Sequence, residues 1–448
     1  MDAKRWHARD RPPAPTNIHA VRRPVPDAGP RPGSSSPFAA MKISRVEAFL
    51  MSYPMPEPIR LPNFGGVRTI LKRDAMLIRV TADSGLKGFA PGPAHAKAAA
   101  EIREVIEPFL VGRDPLQFAS FGFSGLLETE KTFRAVEIAV MDLAAKFEGC
   151  PLSELIGRRK RDRIKLYGSA GMYMPPERFA EEAAAVQAMG FPAYKMRPAL
   201  GPEDDLRTVE LMRQATGPDF GLMIDAHSWW RMGDRSYDFN TITQLARDMA
   251  AFQPVWLEEP LPPDDHEAYR RLRGKGLVTI ATGEHEQTED GFLDLIGTGA
   301  TDYVQMDVCC QGGFALGSRI FAAVQKAGLK FAFHSWGNNL EVLAAAHLGI
   351  CWPAEVVEWL EFPCYANQGR AGMYPFPLSD EILKEPLPIE NGHLTVPQAP
   401  GLGIEIDEST IERYPFIPGP WSFFRIDSPP ETIAVTGDHS VKWVEEEL

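Results

Sequence analysis

Short apolar runs that end on an ionisable residue recur through the second half of the chain. The run ends fall at Tyr167, Lys195, Asp225, Glu258, Glu284, Asp307, His334 and Glu361, separated by 23 to 33 residues. Each run is β-rich, and an amphipathic helical period follows it, which is the spacing of a βα unit. Eight such units predict an α/β fold with a parallel β/α barrel over residues 161–365, its strand ends gathered on one rim. From 41 to 160 the pattern is mixed. KISRVEAFLMS and DAMLIRVTADSGLKGFA alternate apolar and polar positions as strands do, with a turn at Asp83-Ser84-Gly85. AKAAAEIREVIEPFLVG and FRAVEIAVMDLAAKFEG carry helical periods, so this region is predicted to be an α+β domain.

Residues 1–40 are rich in Pro, Arg and Ser and lack an apolar period. They are expected to be a disordered extension. Without an apolar h-region they do not form a secretory signal, whereas an Arg-rich transit peptide or an early start codon would read the same way. At 448 residues and 44% hydrophobic content the chain can bury more than one core. The net charge of −13 argues against nucleic acid as the main partner. No run approaches the roughly 18 apolar residues of a membrane span. Five cysteines form no CxxC pair, which favours a reducing compartment, and cytoplasm is the expected location.

Three run ends are carboxylates in series: Asp225 in GLMIDAH, Glu258 in VWLEEP and Glu284 in TIATGEH. One carboxylate after a strand is usually a helix cap or a solvated loop residue, but run ends in barrel register point to one site. Three oxygen ligands without cysteine suit a hard cation that keeps positions open for substrate, Mg²⁺ ahead of Zn²⁺. Asp307 and His334 close neighbouring strands, so the carboxylate can orient the imidazole as a base. Asp225 and His227 are two residues apart and share a strand face, as do Lys195 and Arg197. His227 is thereby a candidate acid, and Lys195 and Arg197 a cationic clamp for a substrate carboxylate.

On these residues the chain resembles the enolase superfamily, in its mandelate racemase and muconate-lactonizing branch. The resemblance covers about residues 41–410. It rests on AVEIAVMDLAAKFEGCPLSELIG before the barrel, on Lys195-Met196-Arg197, and on Asp225, Glu258 in EEP and Glu284 in GEH. It rests also on Asp307 followed by Gly312-Gly313, and on His334. It implies a modified TIM barrel, (β/α)7β, with an α+β N-terminal capping domain onto which residues 366–410 pack back. It implies one Mg²⁺ held by the three carboxylates, and a base that removes the proton α to a metal-bound carboxylate. Such a proton is removable only if the enediolate charge is neutralised as it forms. Glu361 resembles the family's carboxyl group that hydrogen-bonds the enediolate; a salt bridge closing the barrel is the structural alternative. The resemblance also implies a homo-oligomer, from dimer to octamer.

Racemases of this branch carry Lys-x-Lys where this chain has Lys195 and Arg197, and a guanidinium is a poor base. His227 stands where many relatives carry Asn, and in that feature the chain resembles acid-sugar dehydratases such as galactonate dehydratase. One base, His334, and one acid, His227, are what β-elimination of water needs. The expected function is therefore Mg²⁺-dependent dehydration of an aldonate or aldarate to a 2-keto-3-deoxy acid. A racemase, epimerase or cycloisomerase working through the same enediolate, and a non-catalytic binding protein, are the alternatives.

His285 follows a predicted ligand and points away from it if strand geometry persists, whereas a loop there would turn it inward. His347, in the helical run LEVLAAAHLGI, is expected to be packed or on the surface. Trp229 and Trp230 are expected in the core. Residues 56–73, PEPIRLPNFGGVRTILKR, read as a loop closing over the barrel mouth, with Arg60, Arg68, Lys72 and Arg73 as the cations from which one could meet a second carboxylate of an aldarate, and Arg60 and Arg68 as the candidates to test for substrate contact. Residues 411–448 read as an interface arm or a loose tail.

Overall fold

The structure, a computed structural model, describes residues 41–427, 430–435 and 441–444, so the expectation for residues 1–40 lies outside the described residues. The N-terminal region opens with β1 (Ile43–Asn63), β2 (Gly66–Ala82) and β3 (Lys87–Pro91), an antiparallel sheet. The 22-residue helix Leu127–Glu148 packs on it and ends at Gly149, whose φ of 69° caps the helix in the left-handed region.

The barrel follows as β4 (Arg163–Met172), β5 (Ala193–Arg197), β6 (Gly221–Asp225), β7 (Trp256–Glu258), β8 (Ile280–Thr282), β9 (Tyr303–Asp307), β10 (Lys330–His334) and β11 (Val357–Pro363). All pair in parallel in chain order, and β11 pairs with β4 to close the cylinder. A helix lies in each of the seven intervals, from Pro176–Ala188 to Asn339–Gly349, which is the (β/α)7β pattern. Most strands end at or near the positions read from the sequence. β4 runs five residues past Tyr167 and β11 two past Glu361, whereas β8 stops two short of Glu284.

Inside the barrel, one side chain from each strand forms a plug: Tyr167, Ala193, Met223, Trp256, Ala281, Tyr303, Ala332 and Trp359. Large and small residues alternate through much of this ring, so that the bulky rings fill the space the alanines leave. Strand side chains repeat with period two. Two residues beyond the plug, the next inward layer is therefore Ser169, Lys195, Asp225, Glu258, Gly283, Gln305, His334 and Glu361. The layer above the apolar plug is polar nearly all the way round. That change of character over one strand repeat defines the floor of a site.

A short antiparallel pair, β12 (Ile389–Glu390) and β13 (His393–Thr395), lies along the start of β4. The chain then returns to the capping domain. Gly401 and Leu402 hydrogen-bond to Cys150, Leu152 and the buried Asp142 carboxylate. Asp142 also accepts from the Phe89 amide and from Lys146. One carboxylate thus joins β3, the long helix and the C-terminal segment. The tail expectation is corrected in part: β14 (Ser422–Asp427) adds antiparallel to β2, followed by β15 (Pro430–Val435) and β16 (Val441–Val444).

Residues 56–73 are likewise corrected from a loop to a two-stranded ribbon, the distal halves of β1 and β2. Pro56, Pro58 and Pro62 fit there because β1 is the sheet edge, where a missing N–H breaks no ladder. The ribbon tip rests on the barrel rim: the Phe64 amide donates to Ala199 O at 2.5 Å, and Arg235 donates to Phe64 O at 2.8 Å.

His347 is fully buried under this junction. Its Nδ1 accepts from the Ser153 amide at 3.3 Å, which leaves Nε2–H to donate to Leu402 O at 3.0 Å. Burial pushes its pKa down from 6.5 to about 4. The unfolded chain therefore takes a proton below pH 6.5 that the folded chain refuses, and stability present above that pH is lost as pH falls towards 4. At about 1.4 kcal/mol per pKa unit the loss reaches about 3 kcal/mol. Denaturant unfolding of wild type and His347→Gln should diverge in slope between pH 7 and 5; identical slopes would show that His347 is not the titrating group.

Candidate active site

The eight strand ends bring every sequence-predicted site residue to one rim. Lys195 Nζ sits among carboxylates, donating to Glu258 Oε1 at 2.7 Å, with Glu361 Oε1 at 3.1 Å and Asp225 Oδ2 at 3.6 Å. Arg197 Nε lies 3.1 Å from Asp225 Oδ2, and its NH2 3.4 Å from Glu361 Oε1. Burial works against both cations, but the surrounding carboxylates overcome it and hold each firmly charged. A guanidinium so held does not act as a base.

Asp225 reaches His227 as well, Oδ1 to Nδ1 at 2.8 Å. Burial pulls the His227 pKa below its ordinary value even though Asp225 opposes it. On the opposite side of the floor, Asp307 Oδ1 accepts from the Cys309 and Cys310 amides at 2.8 and 2.9 Å. That fixes the carboxylate and turns Oδ2 towards His334 Nδ1, 3.4 Å away. His334 Nε2 faces Glu284 Oε2 at 3.1 Å and Glu361 Oε2 at 3.9 Å. Burial lowers the imidazole pKa, yet Glu284, Glu361 and the Asp307 hydrogen bond outweigh it and raise it to about 10. Glu361 also accepts from the Ser335 amide at 3.0 Å, so it both bridges the cations and lies beside the base.

Two residues behave otherwise than strand alternation predicts. Glu259 has a φ of 43°, which breaks the alternation after β7. Its carboxylate is fully buried, with Oε2 2.7 Å from His285 Nδ1. His285 therefore turns inward, 3.5 Å from Glu284 Oε1. Gly283 makes the turn before it; its φ is 130°, and a Cβ there would lie 2.5 Å from Gln305 O. Trp229 is core, as expected, whereas Trp230 lies at the mouth, donating to Glu259 O and edge-on to His285. Arg60 is exposed on the ribbon.

The donor set fits a hard divalent cation. Asp225, Glu258, Glu259 and Glu361 are at most 1% exposed and Glu284 is close by, against two fixed cations, Lys195 and Arg197. Burial, with the neighbouring carboxylates, pushes Glu258 up to about 8 despite Lys195, and Glu259 well above the usual range. Such an anionic excess in a buried layer is what a dication balances. The described residues whose ligand atoms all lie within 4.8 Å of one another are Glu259, Glu284 and His285. The sequence pointed to Glu258 where this grouping has its neighbour Glu259.

A closed barrel, a cap over its C-terminal mouth and an acidic, metal-competent floor define an enolase-type protein. The model for the mandelate racemase / muconate lactonizing enzyme N-terminal domain matches residues 46–157, and the enolase C-terminal domain-like model matches 178–410. The chain belongs to the mandelate racemase/muconate lactonizing enzyme family of the enolase superfamily. It is similar to D-galactarolactone cycloisomerase from Agrobacterium fabrum, 28% identical over 84% of this chain and 99% of the relative. It is also similar to D-gluconate dehydratase from Thermoproteus tenax, 26% identical over 76% of this chain and 69% of the relative. Among solved structures, the 3,6-anhydro-D-galactonate cycloisomerase from Zobellia galactanivorans superposes with a TM-score of 0.68 at 28% identity, over 83% of this chain and 99% of that one. No helix among its described residues is long and apolar enough to cross a membrane.

Proposed function

We propose that the protein is a Mg²⁺-dependent hydro-lyase that dehydrates an acid sugar to a 2-keto-3-deoxy acid. The observation that carries this is the placement of two imidazoles, His334 and His227, at the ends of β10 and β6 around one carboxylate-rich floor. Asp225, Glu258 and Glu284 would hold the ion. Bound there, the ion would draw charge from the substrate carboxylate and the developing enediolate.

With Glu284 committed to the ion rather than to the ring, His334 would give up the proton its raised pKa holds and take the α-proton at Nε2, its ring oriented from behind by Asp307. Lys195 and Arg197 keep fixed positive charge beside the forming enediolate, in a water-poor layer where it counts for more than in solution. Glu361 stands 3.9 Å from Nε2 and would donate to the enediolate oxygen only when protonated. His227, in the protonated form that Asp225 favours against burial, gives its proton to the departing 3-hydroxyl, and the enol tautomerises. A proton taken at one ring and given at the other balances the loss of one water.

The cycloisomerase relative favours a second reading, in which the leaving group is a ring oxygen rather than hydroxyl. Mass separates them. A panel of aldonates, aldarates and their lactones, incubated with protein and Mg²⁺, should yield a 2-keto acid one water lighter than an open-chain substrate. A product of unchanged mass formed from a lactone would establish cycloisomerisation instead. Recovery of intact substrate with solvent deuterium at the α-carbon would establish a racemase or epimerase.

A further inference from the structure

Above the acidic floor, Arg68 on β2 and Arg231 in the segment after β6 have no carboxylate within ion-pair distance among the described residues. Arg68 reaches from the capping ribbon, its guanidinium 4.8 Å from the Trp421 ring centroid and close to the Tyr173 phenol just past β4. Tyr173 in turn shares a 2.8 Å hydrogen bond with Ser228, one residue past His227. This places Arg68 over the barrel mouth. Arg231 comes from the barrel side, stacked 4.3 Å over Trp230, its NH2 2.7 Å from His285 Nε2. A guanidinium can only donate. His285 Nε2 therefore accepts, and its Nδ1 lies 2.7 Å from Glu259 Oε2. The chain Glu259, His285, Arg231 sets where that cation sits.

Both Nε atoms are buried without a hydrogen-bond partner. Burial, joined by the like charge of Arg231, pulls Arg68 below its ordinary pKa. Two desolvated cations side by side are costly unless an anion joins them. Their planar forks suit a carboxylate in particular.

We propose that Arg68 and Arg231 together bind a second carboxylate, at the end of the substrate remote from the reacting carbon, so that the substrate class is a dicarboxylic sugar acid, an aldarate, rather than an aldonate. This deepens the acid-sugar reading and rests on it. The terminal carboxylate of an aldarate stands where an aldonate has only a hydroxymethyl group, so the pair discriminates by charge.

The test compares hexarates with hexonates of matching stereochemistry, in wild type and in Arg68→Met and Arg231→Met. Wild type should prefer a hexarate by tenfold or more in kcat/KM. Each variant should raise KM for the hexarate about 10- to 100-fold, the range for removing one charged hydrogen-bond partner, with kcat and the hexonate constants little changed. A wild-type preference for hexonates, or equal losses on both classes, would overturn the proposal. If the variants do not fold, the wild-type preference decides it. If wild type turns over neither class, the dehydratase reading fails, and calorimetric titration of the Mg²⁺-loaded protein still decides this one. Tighter hexarate binding sustains it, and equal affinities refute it.

Discussion

His334→Asn is expected to lower kcat about a thousandfold while leaving KM within a few fold of wild type. The imidazole is the group at the floor with one nitrogen against Asp307 and the other facing the carboxylates that flank the substrate. Removing a positioned base costs typically 10²- to 10⁴-fold. Asparagine keeps a polar side chain of similar reach, so binding through the ion and the cationic roof survives. The diagnostic is the split between kcat and KM, together with the loss of α-proton exchange into D₂O. Turnover retained within tenfold of wild type would remove His334 from the chemistry. Asp307→Asn should act through the same ring and shift the pH profile as well as the rate, because it changes what His334 Nδ1 faces.

Chelation is expected to abolish activity, with recovery on adding Mg²⁺ and no recovery with monovalent cations. Glu284→Gln should show the same loss, a thousandfold or more, because Glu284 lies both in the predicted trio and in the grouping of ligand atoms within 4.8 Å. A readout independent of turnover is available. A cation that binds only the folded chain stabilises it by about 2.7 kcal/mol at one hundred times its dissociation constant. Mg²⁺ should therefore raise the melting temperature of wild type and not that of Glu284→Gln. Glu258→Gln and Glu259→Gln separate the two candidate sets. Loss of the Mg²⁺ shift in Glu258→Gln with retention in Glu259→Gln supports Asp225, Glu258 and Glu284 as ligands, and the reverse pattern supports Glu259 and His285. Activity indifferent to chelator would sink the metal-dependent mechanism.

These expectations draw unevenly on sequence and on tertiary structure. The barrel, its strand ends and the inward direction of Lys195, Asp225, Glu258, His334 and Glu361 were legible from period-two alternation and the βα repeat. Both depend on local backbone geometry, which the order of residues encodes directly. The long-range pairings were not legible. The Gly- and Pro-rich stretch that reads as a loop is a ribbon of β1 and β2, and β14, some 350 residues later in the chain, adds to it along β2. Trp421 at the head of that strand lies against both Arg68 and Arg73. Glu259 escaped, and the direction of His285 stayed open, because alternation holds only while the strand lasts, and the positive φ at Glu259 ends it. Arg231 carries no periodic signal at all. Its role follows from which side chains surround it, and in particular from a histidine 54 residues away. By itself, then, the sequence determined the floor, through the short repeat of a strand that sends alternate side chains to one side. The roof, the partner of each charge and the choice of neighbouring carboxylate were decided only when distant segments packed together, because electrostatic partnership depends on distance in space and not on spacing along the chain.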